Sequence, residues 1–129
     1  LSLSAQSAVE GFEGQKVLEM KTVSAKVKSI NGLEIEATAQ FGRYLYSENL
    51  LKMSGSVLIS SSSGYRLSAP ELHISTDGTY IFGEGPVEGL SPIGKIYAGK
   101  MEIKRKTPQA PIQLWFSDRV LVDYLPEKI

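Results

Sequence analysis

The sequence predicts an all-β domain with an antiparallel sheet, and two observations support that prediction. Along most of the chain apolar and polar residues alternate, which is the period of a strand with one buried face. The chain also repeats itself, since segment 55–64 matches segment 85–94, each with Gly-x-Val at its start and glycine at its end. A repeat of about 30 residues has the length of two strands with their turns, so each copy is interpreted as a strand pair.

The first predicted hairpin joins a strand at 23–27 to a strand at 33–41. Asn31-Gly32 lies between them, and this dipeptide readily adopts the positive backbone angles of a two-residue hairpin turn. The second strand alternates strictly, which places one set of its side chains on an apolar face: Leu33, Ile35, Ala37, Ala39 and Phe41.

The next strands follow the two copies of the repeat. A strand at 51–59 ends in a serine-rich turn, and a further strand ends at Ile74. Asp77-Gly78 supplies the turn that leads from Ile74 into the strand around Tyr80 and Phe82.

The repeat has a partial third copy near the end of the sequence. The spacing of apolar residues in 51–59 recurs in 114–122, with Asp118 where the earlier copy has glycine. This part of the chain is therefore predicted to form two last strands, at 112–116 and 120–124.

Five glycines and two prolines interrupt the segment 83–103, which otherwise has the composition of strands. Glycine within a strand usually marks a bulge or a bend. The apolar alternation changes phase at Pro70 in one copy and at Gly99 in the next, so a bulge is predicted at both positions. The interruptions are thus expected to bend the strands of a coiled sheet.

Length and composition limit the kind of protein. A chain of 129 residues, 42% hydrophobic, suits one domain, expected over 17–126, with a polar linker at 1–16 and a tail at 127–129. Because the sequence begins with leucine, we expect a signal or membrane anchor that is missing here. Fourteen basic and fourteen acidic side chains give a formal net charge of zero, so nucleic acid is not an expected partner. The absence of cysteine excludes disulfides and thiolate chemistry.

No catalytic or metal site is predicted. His73 is the only histidine, and alternation with Leu72 and Ile74 turns it away from the apolar face. A metal site needs several clustered ligands and a catalytic triad needs a positioned serine, whereas the serines here lie in turns. Glu34 and Glu36 fit a paired-carboxylate site and a solvated polar face about equally well. We expect no enzyme activity and no cofactor.

A series of strand and turn motifs covers most of the chain: LEM at 18–20, GLEIEATAQF at 32–41, LLKMSGSV at 50–57, GYRLSAPEL at 64–72, GEGPVEG and PIGKIYAGKMEI within 83–103, and VLVDYLP at 120–126. In the order of these motifs the chain resembles the periplasmic domain of the LptC family of lipopolysaccharide-export proteins, within the wider OstA-like family that includes the bridge protein LptA. The sequence departs from the family pattern at Asp118, where a small residue is expected.

The resemblance implies an open β-jellyroll of two packed sheets in the periplasm, anchored to the inner membrane by a helix that is absent here. It implies a non-enzymatic transport component that receives lipopolysaccharide from an inner-membrane ABC transporter and passes it to an LptA-like bridge protein. Two alternatives stay open. One is a soluble LptA-like bridge protein, and the other is a structural or sugar-binding β-sandwich with Trp115 among its aromatic platforms.

The resemblance also assigns candidate sites. An edge strand is expected to pair with the bridge protein through Arg119, Val120, Leu121, Val122, Asp123 and Tyr124. A basic cluster is either a solvated edge or a rim that meets head-group phosphates: Lys95, Lys100, Lys104, Arg105 and Lys106. Alternation alone predicts that the apolar faces form a core, whereas the resemblance implies that they form a lipid-binding groove. The residues concerned are Ile35, Phe41, Met53, Val57, Ile59, Leu67, Leu72, Ile74, Val87, Ile96, Met101, Ile103, Phe116 and Val120.

Overall fold

A computed structural model describes residues 1–12, 16–29 and 32–124. These residues form nine β-strands and one short 3-10 turn at Tyr46–Glu48. None of the helical structure in this part of the chain is long and apolar enough to cross a membrane. The strands in chain order are β1 (Ser2–Phe12), β2 (Lys16–Lys28), β3 (Glu34–Leu45), β4 (Leu50–Ser61), β5 (Arg66–Ser75), β6 (Tyr80–Ser91), β7 (Gly94–Lys104), β8 (Trp115–Ser117) and β9 (Leu121–Tyr124).

All strand pairs are antiparallel and belong to one sheet. Strands β1 to β7 lie in sequence order, each paired with the next. The far edge of β7 carries both last strands, because β8 pairs with residues 100–102 and β9 pairs with residues 94–97. The arrangement confirms the predicted all-β class and the antiparallel sheet.

A line of β-bulges crosses the sheet at the middle of its strands. The pairing register shifts between Thr38 and Phe41 on β3, and at the corresponding positions of the three strand pairs that follow. The predicted bulges at Pro70 and Gly99 are confirmed, since both residues lie within these shifts. Each bulge bends its strand, so this line, here called the crease, divides the sheet into two parts. We call the part of the sheet that contains Ile59 and the residues paired with it across the strands half-sheet A, and the part on the other side of the crease half-sheet B.

Strands β8 and β9 are the two halves of one bent strand. Between them Asp118 and Arg119 have φ angles of 64° and 68°, and the bulge of β4 has matching values of 80° at Gly55 and 50° at Ser56. Asp118 and Arg119 are the positions that the partial third copy of the repeat aligns with Gly55 and Ser56. The Gly99 amide donates to the Asp118 carbonyl at 2.8 Å. A Cβ at Gly99 would lie 2.5 Å from that oxygen, so only glycine fits there.

The two half-sheets face each other with their apolar sides inward. The Tyr65 ring, just before β5, stacks on the Phe116 ring of β8 with centroids 5.6 Å apart. A Cβ added to Gly78, in the turn after β5, would lie 3.2 Å from Cγ1 of Val27 on β2. Two strands separate the partners within the sheet in both cases, so the sheet must fold over itself. The expected jellyroll is confirmed, as one continuous sheet folded into two layers, and the line of these contacts is here called the seam.

The connection between β7 and β8 completes the core. Its Ile112 is buried in the same cluster as the strand residues, although it lies outside any strand. Arg105 anchors this connection by donating from Nε to the Gly78 carbonyl (2.8 Å) and from Nη1 to the Ala110 carbonyl (3.1 Å). The predicted strand at 112–116 is therefore wrong in its first three residues, which pack as an irregular segment.

The structure corrects the expectation that residues 1–16 form a linker. Residues 2–12 form β1, which pairs with β2 along its whole length. Residues 1–10 are exposed, and only Leu1, Leu3 and Ala5 alternate with polar residues, so the apolar period is too short to predict a strand. Residues 13–15, 30–31 and 125–129 lie outside the described residues, and so do Asn31 of the predicted turn and the predicted tail.

Candidate functional site

Most of the predicted lipid-binding residues line the interior of the folded sheet. Phe116 is partly buried and packs against the core. The remaining inward residues are buried in one continuous cluster: Ile35, Met53, Val57, Ile59, Leu67, Leu72, Ile74, Val87, Ile96, Met101 and Ile103. The apolar face that alternation predicts is therefore a single surface that spans both half-sheets.

Two members of the predicted set do not lie in the interior. Phe41 is 51% exposed on the outer face, because the bulge after Thr38 shifts the phase and turns Gly42 inward instead. Val120 is 47% exposed, since it precedes β9 at the uncovered edge of the sheet. Alternation thus fails at Phe41, where the register of β3 and β4 shifts, whereas Val120 is exposed because no further strand of the described residues covers it.

One row of the inner face contains all three methionines of the chain. Across the sheet, on the side of the crease in half-sheet B, the paired residues run in this order: Met20, Gly42, Met53, Leu72, Gly83, Met101 and Phe116. Methionine is flexible and fills irregular space, and glycine adds no side-chain volume. This row, here called the methionine row, is the part of the interior best able to adapt to a guest.

The inner apolar face continues past the covered core at both edges of the sheet. On β1, Leu3 and Ala5 pair with buried residues of β2, yet both are exposed. On β9, Val122 pairs with the buried Ile96 and is 39% exposed. Both ends of the interior therefore open onto edge strands with uncovered apolar positions.

The predicted basic rim is not one surface. Lys95 lies near one end of β7, and Lys104 ends the strand on the other side of the crease. Glu102 accepts ion pairs from Lys104 at 3.1 Å and Lys100 at 3.4 Å. Hydrogen bonding from Lys104 lowers the pKa of Glu102, so this carboxylate stays charged. The guanidinium of Arg105 donates hydrogen bonds to the backbone carbonyls of Gly78 and Ala110. Burial of this guanidinium lowers its pKa, and the negative charge of Asp77 acts in the opposite direction.

The predicted partner edge is shorter than expected. Leu121–Tyr124 forms β9, which pairs with β7 on one side. Arg119 and Val120 belong to the turn that leads into it. Among the described residues no strand covers the other side of β9, which leaves its backbone groups available for a further strand.

The outer face carries the polar chemistry of the domain. His73 lies there, hydrogen bonded through Nε2 to Glu71 Oε1 at 2.7 Å, with its ring tilted against Phe82. Glu34 and Glu36 both face Lys26, at 4.0 and 3.8 Å. In the described part of the chain no three acidic or histidine side chains gather as metal ligands would.

Comparison with models of known protein families places the chain in one of them. The model of the family described as LptC, lipopolysaccharide-assembly, LptC-related, matches residues 2–113. The matched range begins with β1, which agrees with its place in the sheet, and ends in the connection after β7. No curated protein matches the chain.

Proposed function

Because the chain belongs to the LptC-related family of lipopolysaccharide-assembly proteins, we propose that this domain is a non-enzymatic conduit for lipopolysaccharide in the periplasm. It receives the lipid from an inner-membrane ABC transporter and passes it to a periplasmic bridge protein. The observation that carries the proposal is the inner apolar face, which runs without interruption across the folded sheet and opens at both edge strands.

The acyl chains replace contacts that the half-sheets make with each other. Burying one chain of about a dozen methylenes is worth on the order of 10 kcal/mol, because each methylene contributes about 0.8 kcal/mol. That gain offsets the loss of apolar contacts between the half-sheets when the seam opens. The methionine row adapts to the guest, while the crease and its backbone pairing stay intact.

Site-specific photo-crosslinking at two phenylalanine positions tests this function. A benzoylphenylalanine at Phe116, on the inner face beside the seam, is expected to capture lipopolysaccharide during transport. The same residue at Phe41, which is exposed on the outer face, is the matched control and is expected to stay unlabelled. Equal capture at the two positions would show that the lipid does not use the interior.

A further inference from the structure

A pocket lies on the outer face where β7 meets β8. It has a volume of about 420 Å³ and is lined by Glu102, Lys104, Gln113, Trp115, Phe116 and Ser117. Phe116 is also part of the inner face, so this pocket adjoins the interior at the edge of the sheet. A second pocket of about 370 Å³ shares Lys104 and includes Tyr80. The first volume falls in the range of small-molecule sites, about 300–1,000 Å³, whereas the second pocket is a shallow depression of the surface.

Aromatic rings flank Lys104 on both sides. Trp115 pairs with Glu102 and is 58% exposed, and Tyr80 pairs with Lys104 itself. The Tyr80 ring stacks on Phe82, with centroids 6.2 Å apart and planes 9° apart. These residues form one surface, here called the outer corner: Tyr80, Phe82, Lys100, Glu102, Lys104 and Trp115.

Lys104 is the cation of the outer corner with the fewest counter-charges beside it. The Nζ atoms of Lys100 and Lys104 both pair with the single carboxylate of Glu102. Lys100 also lies opposite the acidic residue Glu84 of the neighbouring strand, whereas Lys104 lies opposite Tyr80. Lys100 is also held 5.0 Å from the centre of the Phe82 ring, so Lys104, with its side chain 66% exposed, is the cation that can reach a ligand.

From this geometry we infer that the outer corner binds a phosphorylated saccharide, the head group of the lipid whose acyl chains lie inside; the inference rests on the proposed function. A pyranose ring presents an apolar face of C–H groups that packs on the flat, exposed indole of Trp115. Gln113 and Ser117 offer hydrogen bonds to its hydroxyl groups, and Lys104 pairs with the phosphate. Because the pocket adjoins the edge of the interior, one lipid molecule can hold its acyl chains inside and its head group at the outer corner.

Trp115 is the only tryptophan, so its fluorescence reports this site directly. Titration with a fully deacylated, phosphorylated lipid A disaccharide is expected to give a saturable change in emission. Lys104→Gln should weaken that binding about fivefold, as for an exposed ion pair of about 1 kcal/mol. Lys95→Gln, an exposed lysine of the same strand with the same change in net charge, is the matched control and should bind like the parent.

Three further ligands separate the sources of the signal. The dephosphorylated disaccharide should bind more weakly, and inorganic phosphate at equal concentration should leave the emission unchanged. A response to phosphate alone, or to anionic phosphatidylglycerol vesicles without any response to the disaccharide, overturns the saccharide assignment. Equal weakening by Lys95→Gln overturns the role of Lys104. Lipid capture by photo-methionine at Met20, Met53 and Met101, none of which lines either pocket, measures the conduit separately. Loss of saccharide binding with that capture retained therefore removes this inference alone.

Discussion

Asp77 fixes the turn between β5 and β6 through one carboxylate oxygen. Its Oδ1 accepts hydrogen bonds from Thr79 Oγ1 at 2.7 Å, from the Thr79 amide at 3.0 Å and from Ser75 Oγ at 2.8 Å. The hydrogen bond from the Thr79 side chain is the main cause of the lowered pKa of Asp77, and the other two add to it. The sequence predicted this turn from Asp77-Gly78 alone, whereas the network depends on the neighbours that the turn brings together.

Asp77→Asn tests the charged form of this turn. Because the folded state lowers the pKa of Asp77, the stabilisation is present above the unfolded pKa, near 3.8, and is lost as the pH falls through the folded value. The parent should therefore unfold at a higher temperature than the variant at pH 7, and the difference should shrink as the pH falls below the ordinary pKa of 3.8. Melting curves across this range measure it, and a difference that stays constant with pH would contradict this account.

Phe41 shows where prediction from single residues fails. Alternation from Leu33 predicted it on the inner face, and the prediction holds up to Ala39. The bulge that turns Phe41 outward lies opposite Gly55 of the neighbouring strand, where a Cβ would come within 3.0 Å of the Phe41 ring. The phase of β3 thus depends on a residue of β4, which a pattern along one strand does not show.

At the scale of elements, the two edge strands differ most from their sequence patterns. Interior strands such as β4 and β7 follow predictable alternation because one face is buried, and the repeat predicted the bulges at Pro70 and Gly99. Strand β1 has exposed residues on both faces, so only its pairing with β2 defines it. Strand β9 has four exposed residues and one uncovered edge.

We expect β9 to add a strand of the bridge protein along that open edge. Successive amides of a strand point to opposite sides, so Val122→Pro and Asp123→Pro remove donors on different edges. The variant whose removed amide bonds to β7 should have a lower melting temperature. The variant whose removed amide faces the open edge should keep the melting temperature and bind the partner about fivefold more weakly, since a lost hydrogen bond is worth about 1 kcal/mol.

Melting curves and a binding titration with the purified bridge protein distinguish the two variants. Parent-like binding by both folded variants would exclude this edge as the docking site. The β1 edge would then be the place to look for the partner.

For the molecule as a whole, we expect that the interior opens along the seam and closes around acyl chains. The sequence predicted which face of each strand is apolar, because that depends on alternation within the strand. It did not show that one sheet folds over itself at the crease, because the closing contacts join residues far apart in the chain, such as Tyr65 and Phe116. Only the resemblance to the family indicated two layers.

Locking the seam tests this claim most directly. The chain has no cysteine, so Tyr65→Cys with Phe116→Cys introduces the only thiols, and a short bis-maleimide can join them across the seam. Photo-methionine incorporated at all three methionines reports lipid contact with the methionine row alone. A matched lock between Ser24→Cys and Thr38→Cys, paired residues of adjacent strands within half-sheet A, leaves the seam free.

The measurement is the yield of lipopolysaccharide captured by photo-methionine with and without the bis-maleimide. We expect that joining residues 65 and 116 abolishes capture, while the same double variant without the crosslinker and the protein locked at residues 24 and 38 both keep it. Undiminished capture by the protein locked across the seam would exclude opening of the seam as the route, because lipid would then reach the interior without separating the half-sheets.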